Sequence, residues 1–307
     1  MLPLASIIRS NMIALSEASP QVPDSASLRD ITLATEAARF AGWQVYSIPQ
    51  DLPEGVSADD AMWHIPRQPE IVPGVWIGYI PLPSHYEQIY EAALSRNIRL
   101  LNSPGQYRRA EEFDRFYPFI EDLTAESRCV SSMAECEEAA QQLGYPVFLK
   151  GTIQSHKAKG IGSCVAHDAE QLATIATALL SSHRRSLGTV IVRKLLDLRY
   201  SRIGPGGFPF GREYRVFVHA GHVVGLGYYW EGEDELASLD ASERDQVTRL
   251  ALEAFRRLEV PYLTVDIGQT KQGDWRVIEV GDGQFSGLSQ IPVHQLWARL
   301  TEVVRSA

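Results

Sequence analysis

Two carboxylates, Asp266 and Glu279, stand in adjacent apolar runs, Tyr262-Leu-Thr-Val-Asp-Ile267 and Trp275-Arg-Val-Ile-Glu-Val280. The link between them carries Gly268, Gly273 and Asp274, the composition of a hairpin turn. Paired antiparallel strands would bring the two carboxylates together, and carboxylates among apolar neighbours call for a counter-charge. Mg²⁺ carrying nucleotide phosphates supplies one, because it favours a few carboxylates plus phosphate oxygens. The alternative reading is two exposed acids on a surface hairpin.

Three further groups bear on the same chemistry. Lys150 ends an apolar strand and precedes a loop with Gly151, Gly160 and Gly162, together with Ser155, His156, Lys157 and Lys159. Glycines let backbone N–H groups approach phosphates, and a lysine adds a point charge. Glu213 and Arg215 lie two residues apart and so share one face of a strand, while Tyr214, Val216 and Val218 take the other. A carboxylate there suits ribose hydroxyls and an arginine suits an anionic group, although a cross-strand ion pair fits equally well. Residues 278–287 place three glycines around Asp282, Gln284 and Ser286, which suggests backbone pressed against a ligand and puts Asp282 within reach of a metal at Glu279.

The elements that must position these groups follow from periodicity. Strand and helix patterns alternate through the first hundred residues: helix over 31–40, strand over 43–48, strand over 75–80, helix over 85–95, strand over 97–101. This is the pattern of a small α/β domain. Asn102-Ser-Pro104 punctuates the chain, so we divide it into 1–104 and 105–307. The second part begins with one charged helical stretch over 106–116. It continues with a helix over 135–143, a strand over 147–150, a polar loop to 163 and a helix over 168–182. Strands over 190–192, 213–219 and 223–229, a helix over 242–258, the carboxylate hairpin and a closing helix over 294–304 complete it.

Composition excludes several classes. With 307 residues, 45% apolar and 22% charged, the chain reads as an ordinary globular protein. No apolar run approaches the ~20 residues that span a bilayer, and the N-terminus lacks the basic start of a signal peptide. A net charge of −9 argues against wholesale binding to nucleic acid. The clusters Arg108-Arg109 and His183-Arg184-Arg185 read as solvated faces. Three cysteines without metal spacing point to a reduced, cytoplasmic setting. No dinucleotide fingerprint follows any strand.

Taken in order, the Lys150 strand and glycine loop, Val190-Ile-Val-Arg-Lys-Leu195, Glu213-Tyr-Arg215, Asp266 and Ile278-Glu-Val280 resemble the ATP-grasp superfamily, in particular its less-characterised compact members. The resemblance covers residues 105–307. It implies an α/β (α+β) architecture in which two α+β subdomains clamp the nucleotide, after a small α/β domain over 1–104. It also implies ATP and Mg²⁺ as cofactors. Lys150 looks like the lysine on the nucleotide phosphates, and the loop with Ser155, Lys157, Gly160 and Gly162 like the phosphate loop. Arg193, Lys194 and Leu195 fall in the hinge that meets adenine, and Glu213 matches the ribose carboxylate. Asp266 and Glu279 look like the Mg²⁺ ligands, and Arg215 like the residue that steadies the reacting group. Two positions depart from the pattern. Gly281 stands where an asparagine is common, which leaves Asp282 to take the metal role. Arg193 and Lys194 stand where an acid is often found.

The expected reaction is an ATP-dependent carboxylate–amine ligation through an acyl-phosphate, releasing ADP and phosphate, on a small-molecule or peptide carboxylate and an amine acceptor. A small-molecule kinase and a nucleotide-binding regulatory module are the alternatives. Trp63-His64, His85-Tyr86, the 204–207 loop with Arg199 and Arg202, and Trp230-Glu231 are substrate candidates by composition. These motifs leave open which carboxylate and amine react, and the oligomeric state.

Overall fold

The computed structural model describes residues 11–18, 25–153, 160–182 and 186–306. The chain divides into two units, one of Met1–Pro104 with Pro292–Ala307, the other of Gly105–Ile291.

The first unit is built on a parallel sheet of β1 (Ile13–Ser16), β2 (Gln44–Ser47), β3 (Val72–Ile77) and β4 (Ile98–Leu100), in the order β2-β1-β3-β4. The central strand β1 has no exposed residue, so its run is apolar almost throughout and shows no alternation. The helix Ala26–Phe40 starts where the Ser25 side chain accepts the Leu28 N–H, and it buries Ile31, Ala34, Ala37 and Ala38. The closing helix Val293–Ser306 belongs to this unit and not with residues 105–291. Its apolar face explains why: Trp43 donates to Thr301 Oγ1 at 2.7 Å and meets the Trp297 ring edge-on at 5.6 Å. Directly after β1, Glu17 is buried and accepts from Trp76 Nε1 and the Tyr79 N–H, each at 2.9 Å. Burial nevertheless pushes its carboxyl up to about 7.

The second unit holds two antiparallel four-stranded sheets. One comprises β5 (Ser127–Val130), β6 (Val147–Gly151), β7 (Val165–Ala166) and β8 (Val190–Lys194), in the order β5-β8-β6-β7. The helices Met133–Leu143 and Ala169–Leu180 cover one face of it, with Ala140, Leu172 and Ile175 packed on Leu149 and Val192. A hairpin of β9 (Tyr200–Ile203) and β10 (Pro209–Gly211) follows. The other sheet comprises β11 (Glu213–His219), β12 (His222–Tyr228), β13 (Tyr262–Gln269) and β14 (Trp275–Asp282), in the order β12-β11-β13-β14. Tyr214, Val216, Val218, Leu263, Val265 and Ile267 form its apolar face, against the helices Phe113–Ile120 and Ala241–Leu258. The latter helix opens with a full capping box between Asp240 and Glu243. Period-two alternation then sends Glu213, Arg215 and Asp266 to the opposite face.

The single helical stretch expected over 106–116 is two helices, Pro104–Glu111 and Phe113–Ile120, broken at Glu112. There the Glu112 carboxylate takes Arg108 and Arg115. No described helix is long and apolar enough to cross a membrane.

Candidate active site

The carboxylate hairpin forms in register: Asp266 on β13 lies opposite Glu279 on β14. Like charges placed directly across a ladder repel. Two cations answer this. Arg215, opposite Asp266 on β11, donates from Nε and Nη2 to the two carboxylate oxygens, both at 2.8 Å. Its Nη1 donates to Gly287 O at 2.9 Å, and its guanidinium lies 4.8 Å from the Tyr229 ring centre. Burial works against the arginine's charge, but the adjacent Asp266 outweighs it and raises the guanidinium further. The second cation is Lys150, which stands near the end of β6 in the other sheet and pairs with the Glu279 carboxylate. Its side chain is buried while that of Glu279 stays 28% exposed.

A β-bulge shapes β14 at this point. Asp266 pairs with Glu279 and Ile267 with Val277, which leaves Ile278 as the extra residue. Ile278 therefore joins the wall of a cavity of about 430 Å³, together with Phe148, Val165, Leu195 and Leu198. Glu213 lines the same cavity and is nearly fully buried. Apolar walls with one buried carboxylate suit a flat heterocycle joined to a sugar.

The remaining expected residues divide. Lys194 and Leu195 line the cavity. Ser155 and Lys157 lie outside the described residues. Gly160 has φ +98°, and a Cβ there would come within 2.9 Å of Gly206 O, so glycine is needed where the 160s meet the β9–β10 hairpin. Gly162 sits in a 3₁₀ turn, Ile161–Ser163. Arg193 is buried and reaches across to the second sheet, donating to Ile278 O at 2.6 Å and Thr124 Oγ1 at 2.5 Å. Burial lowers its guanidinium to about 10, against the pull of Glu279 and Glu213. It therefore serves the sheets, and the hinge contact expected of it is left to Lys194 and Leu195.

Asp282 does not join the other two carboxylates. It lies past Gly281, opposite Leu263, and accepts the Gln284 N–H at 2.9 Å and the Gln284 amide at 3.3 Å. Strand alternation and the tight turn that follows it account for the difference. Among the described residues no group of three or more His, Cys, Asp and Glu is arranged to hold a metal by itself. A metal at Asp266 and Glu279 would thus draw its other ligands from elsewhere, as Mg²⁺ does when it carries phosphates and waters. The donor set fits that ion.

Glu111 belongs to this region and was missed, because in the sequence it is one more charged position of a helix. Its Oε1 accepts the Asp282 N–H at 2.7 Å and lies 3.5 Å from where a Cβ on Gly281 would be. Burial pushes this carboxyl up to about 8, with Asp282 and Glu279 adding to the rise and Lys150 opposing it. The arginines expected to receive a substrate carboxylate resolve differently: Arg202 is committed to Asp234 at 2.8 Å and stacks over Phe210.

Comparison with known proteins agrees with this architecture. A RimK-domain ATP-grasp protein from Sphaerobacter thermophilus matches with a TM-score of 0.62 at 15% identity, over 95% of this chain and 98% of that one. D-alanine–D-alanine ligase from Bacillus anthracis, solved with ATP, matches with a TM-score of 0.64 at 12% identity, over 96% of each chain. The ATP-grasp ligase PsnB, solved with a minimal precursor, Mg and ADP, matches with a TM-score of 0.56 at 13% identity, over 96% of this chain and 97% of that one. At these identities the likeness is one of fold. No curated protein matches the sequence. A family model described as an ATP-grasp domain, the third family of its clade, matches residues 113–300, and with more than half its length inside that match the chain belongs to this ATP-grasp family.

Proposed function

We propose that the protein is an ATP-dependent carboxylate–amine ligase that works through an acyl-phosphate. The observation that carries this reading is the meeting of Lys150, Glu279, Asp266 and Arg215 beside an apolar cavity lined by Glu213. The four charges form two pairs, so each group already has a partner that a ligand can replace with one of the same sign. Nucleotide phosphates would take Lys150 from Glu279, and a substrate or phosphoryl oxygen would share Arg215 with Asp266. The base would lie among Phe148, Leu195 and Ile278, with the ribose toward Glu213. Asp266 and Glu279 would hold Mg²⁺, which supplies charge neutralisation at the transferred phosphoryl group when bound.

The substrate carboxylate attacks the γ-phosphorus, the bond to the bridging oxygen breaks, and ADP leaves. An amine then attacks the acyl carbon, and phosphate departs with the C–O bond's electrons. The amine's proton is lost as the amide forms. Lys150 and Arg215 bind and orient these anions, and no covalent nucleophile of the protein is required. The PsnB and D-alanine–D-alanine ligase likenesses support an ATP-using ligase in general.

Product analysis is the test. Incubation with ATP, Mg²⁺ and panels of carboxylates and amines should yield ADP and phosphate in equal amounts with an amide. AMP and pyrophosphate would refute the reading. A nucleotide-binding module without turnover is the second reading, favoured by the withdrawal of Asp282 from the carboxylate pair. It predicts that bound ATP survives every panel.

A further inference from the structure

We infer that Arg193 is a positioning residue that holds the β14 bulge open, and so keeps the base-pocket wall and the metal-binding carboxylate on one face. The inference rests on the nucleotide reading above.

The register slip on β14 makes Ile278 and Glu279 neighbours that both serve the site: Ile278 lines the cavity and Glu279 lies opposite Asp266. Alternation alone would send consecutive residues to opposite faces. Removal of the slip would therefore turn one of the two away, as any one-residue change of register does. Something must keep the extra residue in place.

Arg193 is placed to do so. It projects from β8, in the opposite sheet, and its fork closes on the bulge. Nη1 donates to Ile278 O at 2.6 Å, and Nη2 donates to Thr124 Oγ1 at 2.5 Å and to Val277 O at 3.3 Å. Thr124 in turn donates to Val277 O at 2.6 Å, and the Val277 N–H donates to Leu123 O at 2.9 Å. Backbone and side chain thus grip the residues immediately before Glu279 from the outer edge of β14.

Two features separate this from space-filling. Arg193 is 6% exposed and no ion pair with a carboxylate accompanies it among the described residues. Its Nε–H is buried without an acceptor. A buried guanidinium so placed is costly, and an apolar residue would fill the volume more favourably. What an apolar residue lacks is a planar fork that satisfies two carbonyl groups on one strand. Lysine lacks it as well, for it is a point charge.

Arg193→Lys and Thr124→Val test the inference. Binding of a non-hydrolysable ATP analogue is measured calorimetrically with Mg²⁺ and with a chelator, and the ratio of the two affinities is the metal enhancement. Arg193→Lys should lower that enhancement at least about tenfold, or about 1.4 kcal/mol, while changing chelator-side affinity less than about threefold. Thr124→Val removes one acceptor of the fork and is the milder variant. It should lower the enhancement by about threefold and reports by itself if Arg193→Lys does not fold. A merely structural role would lower thermal stability and leave the enhancement unchanged. A folded variant with wild-type enhancement overturns the inference. Wild type that binds nucleotide without any metal enhancement overturns it too, and leaves the nucleotide reading standing. Wild type that binds no nucleotide removes the proposed function and this inference with it.

Discussion

The two sheets of the second unit handle charge in opposite ways. In the β11–β14 sheet the key pair is internal: Arg215 and Asp266 are cross-strand partners, side chains 14% and 5% exposed, joined by two bonds. In the β5–β8 sheet the cations leave home. Lys150 is satisfied by Glu279 and Arg193 by backbone carbonyls, all on β14 of the other sheet. One sheet is thus a template whose charges are settled during folding. The other supplies cations whose partners lie across a gap, and such cations are the ones an incoming phosphate can recruit. β14 receives both, which makes it the strand on which the site depends most.

The contrast can be broken by removing one cation from each side. Arg215→Ala should destabilise the fold most, by about 3–5 kcal/mol, since it strands a buried carboxylate. Denaturant unfolding measures this. Lys150→Met should cost less, about 1–3 kcal/mol, because Glu279 keeps contact with water, yet it should remove most nucleotide affinity. Equal destabilisation by the two variants would dissolve the distinction between template and recruit.

Acid–base behaviour sharpens the same comparison. Glu111 beside β14 is held up at about 8 against an ordinary value of 4.5. Between these limits the folded chain keeps a proton that the unfolded chain has released. Its contribution to stability is therefore largest at the acid end and declines as pH rises through the window, by up to about 1.4 kcal/mol per pH unit. Glu17, held up at about 7 in the first unit, acts in the same direction over a narrower range. Glu111→Gln should flatten the decline between about pH 5 and 8, and Glu17→Gln should flatten only its lower part, both read from unfolding curves across pH. The smallest effect belongs to the exposed Arg256–Glu253 pair: Arg256→Ala should leave stability within experimental scatter.

How much of this was legible beforehand follows from the kind of signal each residue gives. The carboxylate hairpin was readable because two apolar runs flank a glycine-bearing link, and its register then follows from the turn. The face shared by Glu213 and Arg215 was readable from period two. β1 was not, since a fully buried four-residue strand has no alternation to detect. Nor were β9 and β10, which are short and surround glycines. Asp282 was assigned by proximity in the chain, but alternation and its bond to the Gln284 N–H decide its place. Arg193 was read as part of a hinge because its neighbours line the cavity. Its long side chain crosses to carbonyls 84 and 85 positions away, a relation that no local pattern encodes. Glu111 depends in the same way on a contact 171 positions distant.

The central claim is that Asp266 and Glu279, with Lys150 and Arg215 as their partners, form a metal–nucleotide site. Thermal unfolding of wild type and Glu279→Gln, with and without a non-hydrolysable ATP analogue and Mg²⁺, tests it most directly. At 100 times its Kd a ligand specific for the folded state adds about 2.7 kcal/mol. The account predicts a Mg²⁺-dependent rise of that order in wild type that is lost or much reduced in Glu279→Gln. Absence of any shift in wild type at millimolar nucleotide, or equal shifts in both proteins, would contradict it.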